Sequence, residues 1–264
     1  MFSKLYRKTL RALFHYDPTF IDWYHHPALQ ETGAYYLKKI FSVLDTLDGN
    51  CKDKKEHLHI LDLGCQAGRI TIPLLQAGFK NTLGIERSGI SLRAAQRTVR
   101  DLSLTGQFKK IDLARYVAQC PSESVDVIIS IETLYLCLNF EPLIKNISRI
   151  LKPGGYLIAT FKTKSYFFTD AILKNDFEKA RFVLHASEGE VKDLGRNWQT
   201  RSELLALLEK NNLSVHLTEF YYPFEPAKVD LKGYLELYPQ DQSKINFLDD
   251  RGRDIVCIGR KNNG

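Results

Sequence analysis

The stretch ILDLGCQAGRITIPLL, residues 60–75, constrains the fold more than any other part of the chain. An apolar run breaks at Gly64, and a helical apolar pattern begins after Gly68. A glycine-bearing turn between a strand and a helix lets the backbone approach a nucleotide closely. A carboxylate, Asp62, stands two residues ahead of the first glycine. The chain around this turn must therefore fold as strand, turn and helix with an acid at the turn.

From residue 58 onward, strand-like and helix-like apolar blocks alternate. Strands are expected over 58–64, 81–86, 107–112 and 125–132, and in LKPGGYLIATF, where a turn precedes the strand. The near-continuous apolar run VDVIISIE suits a strand covered on both faces. Helices are expected over 69–77, 89–102, 143–151 and near 171–184. This alternation predicts a parallel, doubly wound α/β sheet. Thr200 and Glu203 form a capping-box pattern ahead of LLALLEKNN, and LSVHLTEF and RDIVCIGRK read as two further strands. Ahead of all this, residues 2–14 pattern as an amphipathic helix and roughly 34–47 as a second. The expected division is an N-terminal helical cap or lid over 1–50, then a ligand-binding domain over 51–264 with an inserted lid at about 164–197.

The glycine spacing is G-x-x-x-G and does not match the G-x-G-x-x-G of dinucleotide sites. An acid beside a pyrophosphate is repelled, whereas an acid beside an amino group is attracted. Glu86 closes the second strand, where a carboxylate accepts hydrogen bonds from ribose hydroxyls. A ligand with a ribose, an adenine and a cationic amino acid in place of phosphates satisfies both acids, and S-adenosylmethionine has that composition.

On these residues the chain resembles the class I S-adenosylmethionine-dependent methyltransferases, over roughly 58–162 and 198–261. ILDLGCQAG resembles their first motif, with Gln66 in place of its middle glycine. GIERSGISLRAAQ is similar to their second-strand motif and IDLARY to the motif whose aspartate meets the adenine. VDVIISIETLYL followed by LIKNISRILKPGGYLIA resembles the fourth strand, the next helix and the P-G-G turn, and NWQTRSELLALLEKNNLSV the late helix and sixth strand. The resemblance implies a Rossmann-like sheet of seven strands, mostly parallel with an antiparallel last strand. It implies that Asp62, Gly64, Cys65, Gln66 and Gly68 hold the methionine end of the cofactor. Glu86, followed by Arg87, would bind the ribose, Asp112 and Leu113 would frame the adenine, and Ser130 to Glu132 would lie near the methyl group. It also places the aromatic segment FIDWYHHP, residues 20–27, over the cofactor as a lid.

Methyl transfer from an activated sulfonium needs alignment, exclusion of water and, for a hydroxyl acceptor, a base. The candidates for that base are His25, His26 and Glu132. SIETL stands where family members acting on exocyclic or amide nitrogens carry an N-P-P-Y-type motif, which argues against DNA adenine or glutamine acceptors. The expected activity is in-line transfer to an oxygen, carbon or nitrogen nucleophile of a small molecule, leaving S-adenosylhomocysteine. An RNA-modifying enzyme, a lipid- or quinone-modifying enzyme and a non-catalytic S-adenosylmethionine-binding protein are the rivals. A net charge of +6, spread without a basic stripe, disfavours nucleic acid, while residues 1–14 suit peripheral membrane contact. Five scattered cysteines without a C-x-x-C pair suggest neither a disulfide framework nor a metal site. No apolar run approaches the roughly 20 residues that span a bilayer, and the expected location is cytoplasmic.

Overall fold

All four residues of Ile60–Leu63 (β1) are buried, as an apolar strand covered on both faces requires. The computed structural model describes residues 27–48, 54–190, 196–223, 229–247, 250 and 252–263. His25, His26 and the helix expected over 2–14 lie outside them. After β1 come Thr71–Gln76 (α3), Thr82–Glu86 (β2), Gly89–Asp101 (α4), Gln107–Lys110 (β3), Leu113–Gln119 (α5) and Val125–Ser130 (β4). Ahead of it stand Pro27–Asp48 (α1) and the single turn Lys54–His57 (α2). The remaining elements are Phe140–Ile150 (α6), Leu151–Lys162 (β5), Lys164–Leu173 (α7), Phe177–His185 (α8), Arg201–Lys210 (α9), Leu213–Pro223 (β6), Lys232–Leu237 (α10) and Gly252–Lys261 (β7). The seven strands form one sheet in the order β3-β2-β1-β4-β5-β7-β6. β1 pairs in parallel with β2 and with β4, β2 in parallel with β3, and β6 antiparallel with β7. The expected doubly wound, mostly parallel α/β sheet with an antiparallel last strand is the one observed. No helix among the described residues is long and apolar enough to cross a membrane.

The chain divides into two compact units, Met1–Ile131 with Ile150–Tyr156, and Glu132–Arg149 with Leu157–Gly264. In the first, α1 buries Tyr36, Ile40, Val43 and Leu44, a spacing of four, three and one that makes one helical stripe. α4 starts where the Ser88 side chain accepts from Ser91 N–H, and α5 where Asp112 accepts from Arg115 N–H. In the second unit, α7, α8 and α10 enclose an aromatic core of Phe167, Phe168, Trp198, Tyr234 and Phe247. Trp198 Nε1 donates to the carbonyls of Val183 and Ala186 at 3.1 and 2.8 Å. The capping box of α9 is complete: Glu203 N–H donates to Thr200 Oγ1, and Thr200 N–H to the Glu203 carboxylate.

Two local expectations differ from the structure. The helix expected near 171–184 is two helices, because Asn175 takes the left-handed φ of 54° and Asp176 caps α8 through Lys179 N–H. The LKPGG segment, expected as a turn ahead of a strand, lies within β5. Gly155 is needed there for close approach, since a side-chain carbon would sit 2.8 Å from the Asp126 carbonyl oxygen.

Candidate functional site

The strand order reverses between β1 and β4, and in doubly wound sheets ligands bind at the carboxyl ends of strands flanking such a point. Asp62 and Ser130 stand at those ends, and Glu86 at the carboxyl end of the neighbouring β2, all within the first unit. The turn after β1 is held against β2 by the N–H groups of Gly64 and Cys65, both donating to the Ile85 carbonyl at 2.8 and 3.1 Å. Three residues of the turn are left-handed: Gly64 at φ 82°, Gln66 at φ 48° and Gly68 at φ 87°. Gln66 therefore keeps the backbone shape that the middle glycine would take, at a steric cost glycine does not incur. A side-chain carbon at Gly68 would meet Ile72 at 2.7 Å, so that position also closes the turn against α3.

Glu86 ties the turn to the next helix. One carboxylate oxygen accepts from Gln66 N–H at 3.2 Å and the other from Ser88 N–H at 2.7 Å. Asp62 is 2 % exposed and accepts from Thr71 Oγ1 at 2.6 Å. Burial pushes its carboxyl up to about 6, against hydrogen bonds from Thr71 and the charge of Arg69, with the charge of Glu86 adding to the rise. Burial, then Asp62 and Glu86, likewise hold the Cys65 thiol well above its ordinary range, so this cysteine packs as a neutral group. Ser130 Oγ, fully buried, donates to the Leu63 carbonyl at 3.0 Å and links β4 to β1. Asp112 is exposed and its Oδ1 serves the α5 cap, Leu113 is buried behind it, and Arg87 is exposed. The structure thus brings all ten cofactor candidates into one unit. Arg69 and Thr71 complete the surroundings of Asp62, with the Arg69 guanidinium 5.9 Å from the ring centre of buried Tyr36 of α1. Both lie just beyond Gly68 in the sequence, Arg69 next to it and Thr71 at the start of α3.

Glu132 lies in the second unit and has a different setting. Its φ is 54°, a left-handed conformation for a side chain that does not favour it, and its N–H donates to Thr160 Oγ1 at 2.6 Å. Arg253 donates to its carboxylate at 3.3 Å and to Asp254 at 2.8 Å, and Asp254 in turn pairs with Lys162. The Lys162 ammonium also lies 4.7 Å from the Tyr135 ring centre. Burial pulls the Lys162 amine below its usual range despite the opposing charge of Asp254. Four alternating charges therefore end at Glu132, and three of them were not singled out in the sequence.

A family model described as a methyltransferase domain matches residues 54–213. Sterol 4-C-methyltransferase of Caenorhabditis elegans is 24% identical over 188 residues, covering 67% of this chain and 54% of its own. Sterol 24-C-methyltransferase of Aspergillus fumigatus is 25% identical over 136 residues, covering 52% and 35%. The chain thus spans about a third to a half of the length of these two relatives. It spans 4% of the compactin nonaketide synthase, polyketide synthase component, of Penicillium citrinum and 6% of fusarielin synthase of Gibberella zeae. Among solved structures, an S-adenosylmethionine-dependent methyltransferase of Mesorhizobium loti superposes with a TM-score of 0.53 at 18% identity, over 77% of this chain and 91% of that one. One of Methanosarcina mazei gives 0.54 at 19% identity, over 78% and 92%. With the domain model matching more than half of the sequence and the fold shared with these enzymes, the chain belongs to the class I S-adenosylmethionine-dependent methyltransferase family.

Proposed function

We propose that this protein transfers a methyl group from S-adenosylmethionine to a small molecule. The observation that carries this reading is Asp62, buried beside the left-handed turn in the same unit as Glu86. The residues fit the cofactor. Asp62 would hold its amino group, while each Glu86 oxygen, using one lone pair on a backbone N–H, keeps another for a ribose hydroxyl. Asp112 and Leu113 would frame the adenine. The backbone at Gly64, Cys65, Gln66 and Gly68, with Arg87 and Ser130, would bound the remainder. The cofactor supplies a methyl group already activated on a sulfonium, so the chain has only to align the acceptor and exclude water.

The acceptor in this reading is a small molecule attacking through oxygen, carbon or nitrogen. The sterol methyltransferases among the relatives support an apolar one. Residues 1–50 and 164–197 would serve as the segments that select it, and Glu132, with His25 and His26 as alternatives, as the base for a hydroxyl nucleophile. Calorimetric titration with S-adenosylmethionine and S-adenosylhomocysteine, with NADH as control, tests the reading on the wild type and on Glu86→Ala. Micromolar binding is expected, weakened by about 1–3 kcal/mol in Glu86→Ala, where the Gln66 and Ser88 N–H groups lose their acceptor. Absence of binding to the wild type, or preference for NADH, would sink it.

A further inference from the structure

The methionine end of S-adenosylmethionine is a zwitterion, with an ammonium and a carboxylate on one carbon. In the reading above, Asp62 meets the ammonium, and the carboxylate is left to the backbone of the turn. A carboxylate taken out of water favours a cation beside it. The same turn carries one. Arg69 follows Gly68 directly and is 7 % exposed, a depth at which arginine is uncommon.

Helix α1 sets the place of this side chain. A carbon added at Gly33 would sit 3.7 and 3.8 Å from Cγ and Cδ of Arg69, so the helix passes over the arginine stem at van der Waals range. The guanidinium lies 5.9 Å from the ring centre of Tyr36, which is fully buried one turn further along α1. Both contacts lie within the first unit. The charge of Arg69 also reaches Asp62 and favours its ionised form, whereas the hydrogen bonds that Asp62 accepts come from Thr71. The turn thus holds a buried acid and a buried cation near each other, opposite in sign to the two ends of an amino acid. The planar fork of a guanidinium matches the two oxygens of a carboxylate.

We propose that Arg69 binds the carboxylate of the cofactor's methionine end, held for that purpose by Gly33 and Tyr36 of α1. This rests on the methyltransferase reading for the cofactor and adds a contact outside the G-x-x-x-G pattern. The test is calorimetric titration of the full chain with S-adenosylmethionine and with decarboxylated S-adenosylmethionine. The second keeps the sulfonium, ribose, adenine and amino group and lacks the carboxylate. The wild type is expected to bind S-adenosylmethionine about ten- to a hundredfold more tightly, the worth of hydrogen bonds between charged groups. Arg69→Met keeps an unbranched stem beneath α1 and removes the guanidinium. Its preference should vanish or reverse, since Asp62 then repels an uncompensated carboxylate beside it. If Arg69 only fastened α1 to the turn, the variant would weaken both ligands alike and keep the wild-type ratio. Arg69→Gln takes its place, read in the same way, if the methionine variant does not fold. The proposal is overturned if the wild type binds the two ligands equally, or if the wild-type ratio persists in a folded variant. Failure of the wild type to bind either nucleotide would instead strike the methyltransferase reading.

Discussion

Asp62 should make this protein less stable at neutral pH than in mild acid, and Asp62→Asn should remove the effect. The carboxyl is 2 % exposed, and burial raises it from an ordinary 3.8 to about 6. The folded state therefore holds the proton more tightly than the unfolded chain does. This contribution is complete below about pH 4 and is lost as pH rises through about 6. A rise of roughly two units corresponds to about 3 kcal/mol. Asparagine keeps an oxygen for Thr71 Oγ1 and cannot ionise, so at pH 7.5 the variant should be the more stable by about 2–3 kcal/mol. For a chain of this size that is a melting temperature higher by about 5 °C. Near pH 4 the two proteins should converge. Other carboxylates bend both stability curves alike, so the quantity to read is the difference between the two proteins from pH 4 to 8. A constant difference over that range would refute the reasoning. Cofactor binding supplies the opposite test. An amino group beside Asp62 favours the ionised acid, so wild-type affinity for S-adenosylhomocysteine should fall below pH 6, by up to about tenfold per pH unit for one linked proton. Asp62→Asn should bind more weakly, with that slope removed.

Substitutions at Gln66, at Gly84 and at the Lys162–Asp254 pair test other parts of the structure. Gln66 sits at φ 48°; Gln66→Gly should change stability by no more than about 1 kcal/mol, since relief of strain opposes the added freedom of the unfolded chain. Gln66→Val should destabilise by about 1–3 kcal/mol, and urea denaturation showing the two variants equal would discount the strain. At Gly84 an added methyl would lie 2.7 Å from Cys65 Sγ and 2.8 Å from a Phe108 ring carbon, so Gly84→Ala should cost about 1–3 kcal/mol by denaturant titration. Lys162→Met leaves buried Asp254 without its ammonium partner and should destabilise by about 3 kcal/mol or more. Adding Asp254→Asn should restore most of that, and simple additivity in the double-mutant cycle would show that the pair is not coupled.

What could be seen in the sequence follows the range of the interactions concerned. The buried strands announced themselves as apolar runs at β1 and β4, and Thr200 with Glu203 announced the start of α9, because each signal is complete within a few residues. The Gln66 departure was visible, but its consequence needed the backbone, since only the φ value shows that glutamine takes the shape of glycine. The helix break at 174–176 was missed because the apolar pattern continues across it and a single left-handed Asn175 ends α7. Helix α5 is short, and its start is marked only by Asp112, whose use as an N-cap shows once its Oδ1 is seen to accept from Arg115 N–H. The array Glu132–Arg253–Asp254–Lys162 was beyond reach, with 121 and 92 residues separating its paired members.

The acids that one sequence pattern groups together as cofactor ligands are not equivalent in the folded chain, and physical cost orders them. Asp112 is exposed, and its Oδ1 already serves the N-cap of α5, so the fold alone accounts for an acid at that position. Glu86 is half-buried and accepts two backbone N–H groups, an arrangement that stabilises the turn and leaves a lone pair on each oxygen. Asp62 is buried, its ionisation is disfavoured, and it is backed by a left-handed Gln66 in the same turn. Folding gains nothing from either feature, for an apolar residue at 62 and a glycine at 66 would remove both costs. A ligand with a cationic amino group offsets the first, and a backbone shaped for close approach explains the second. The case for a bound S-adenosylmethionine is therefore strongest at Asp62 and weakest at Asp112, an order that the sequence pattern does not contain.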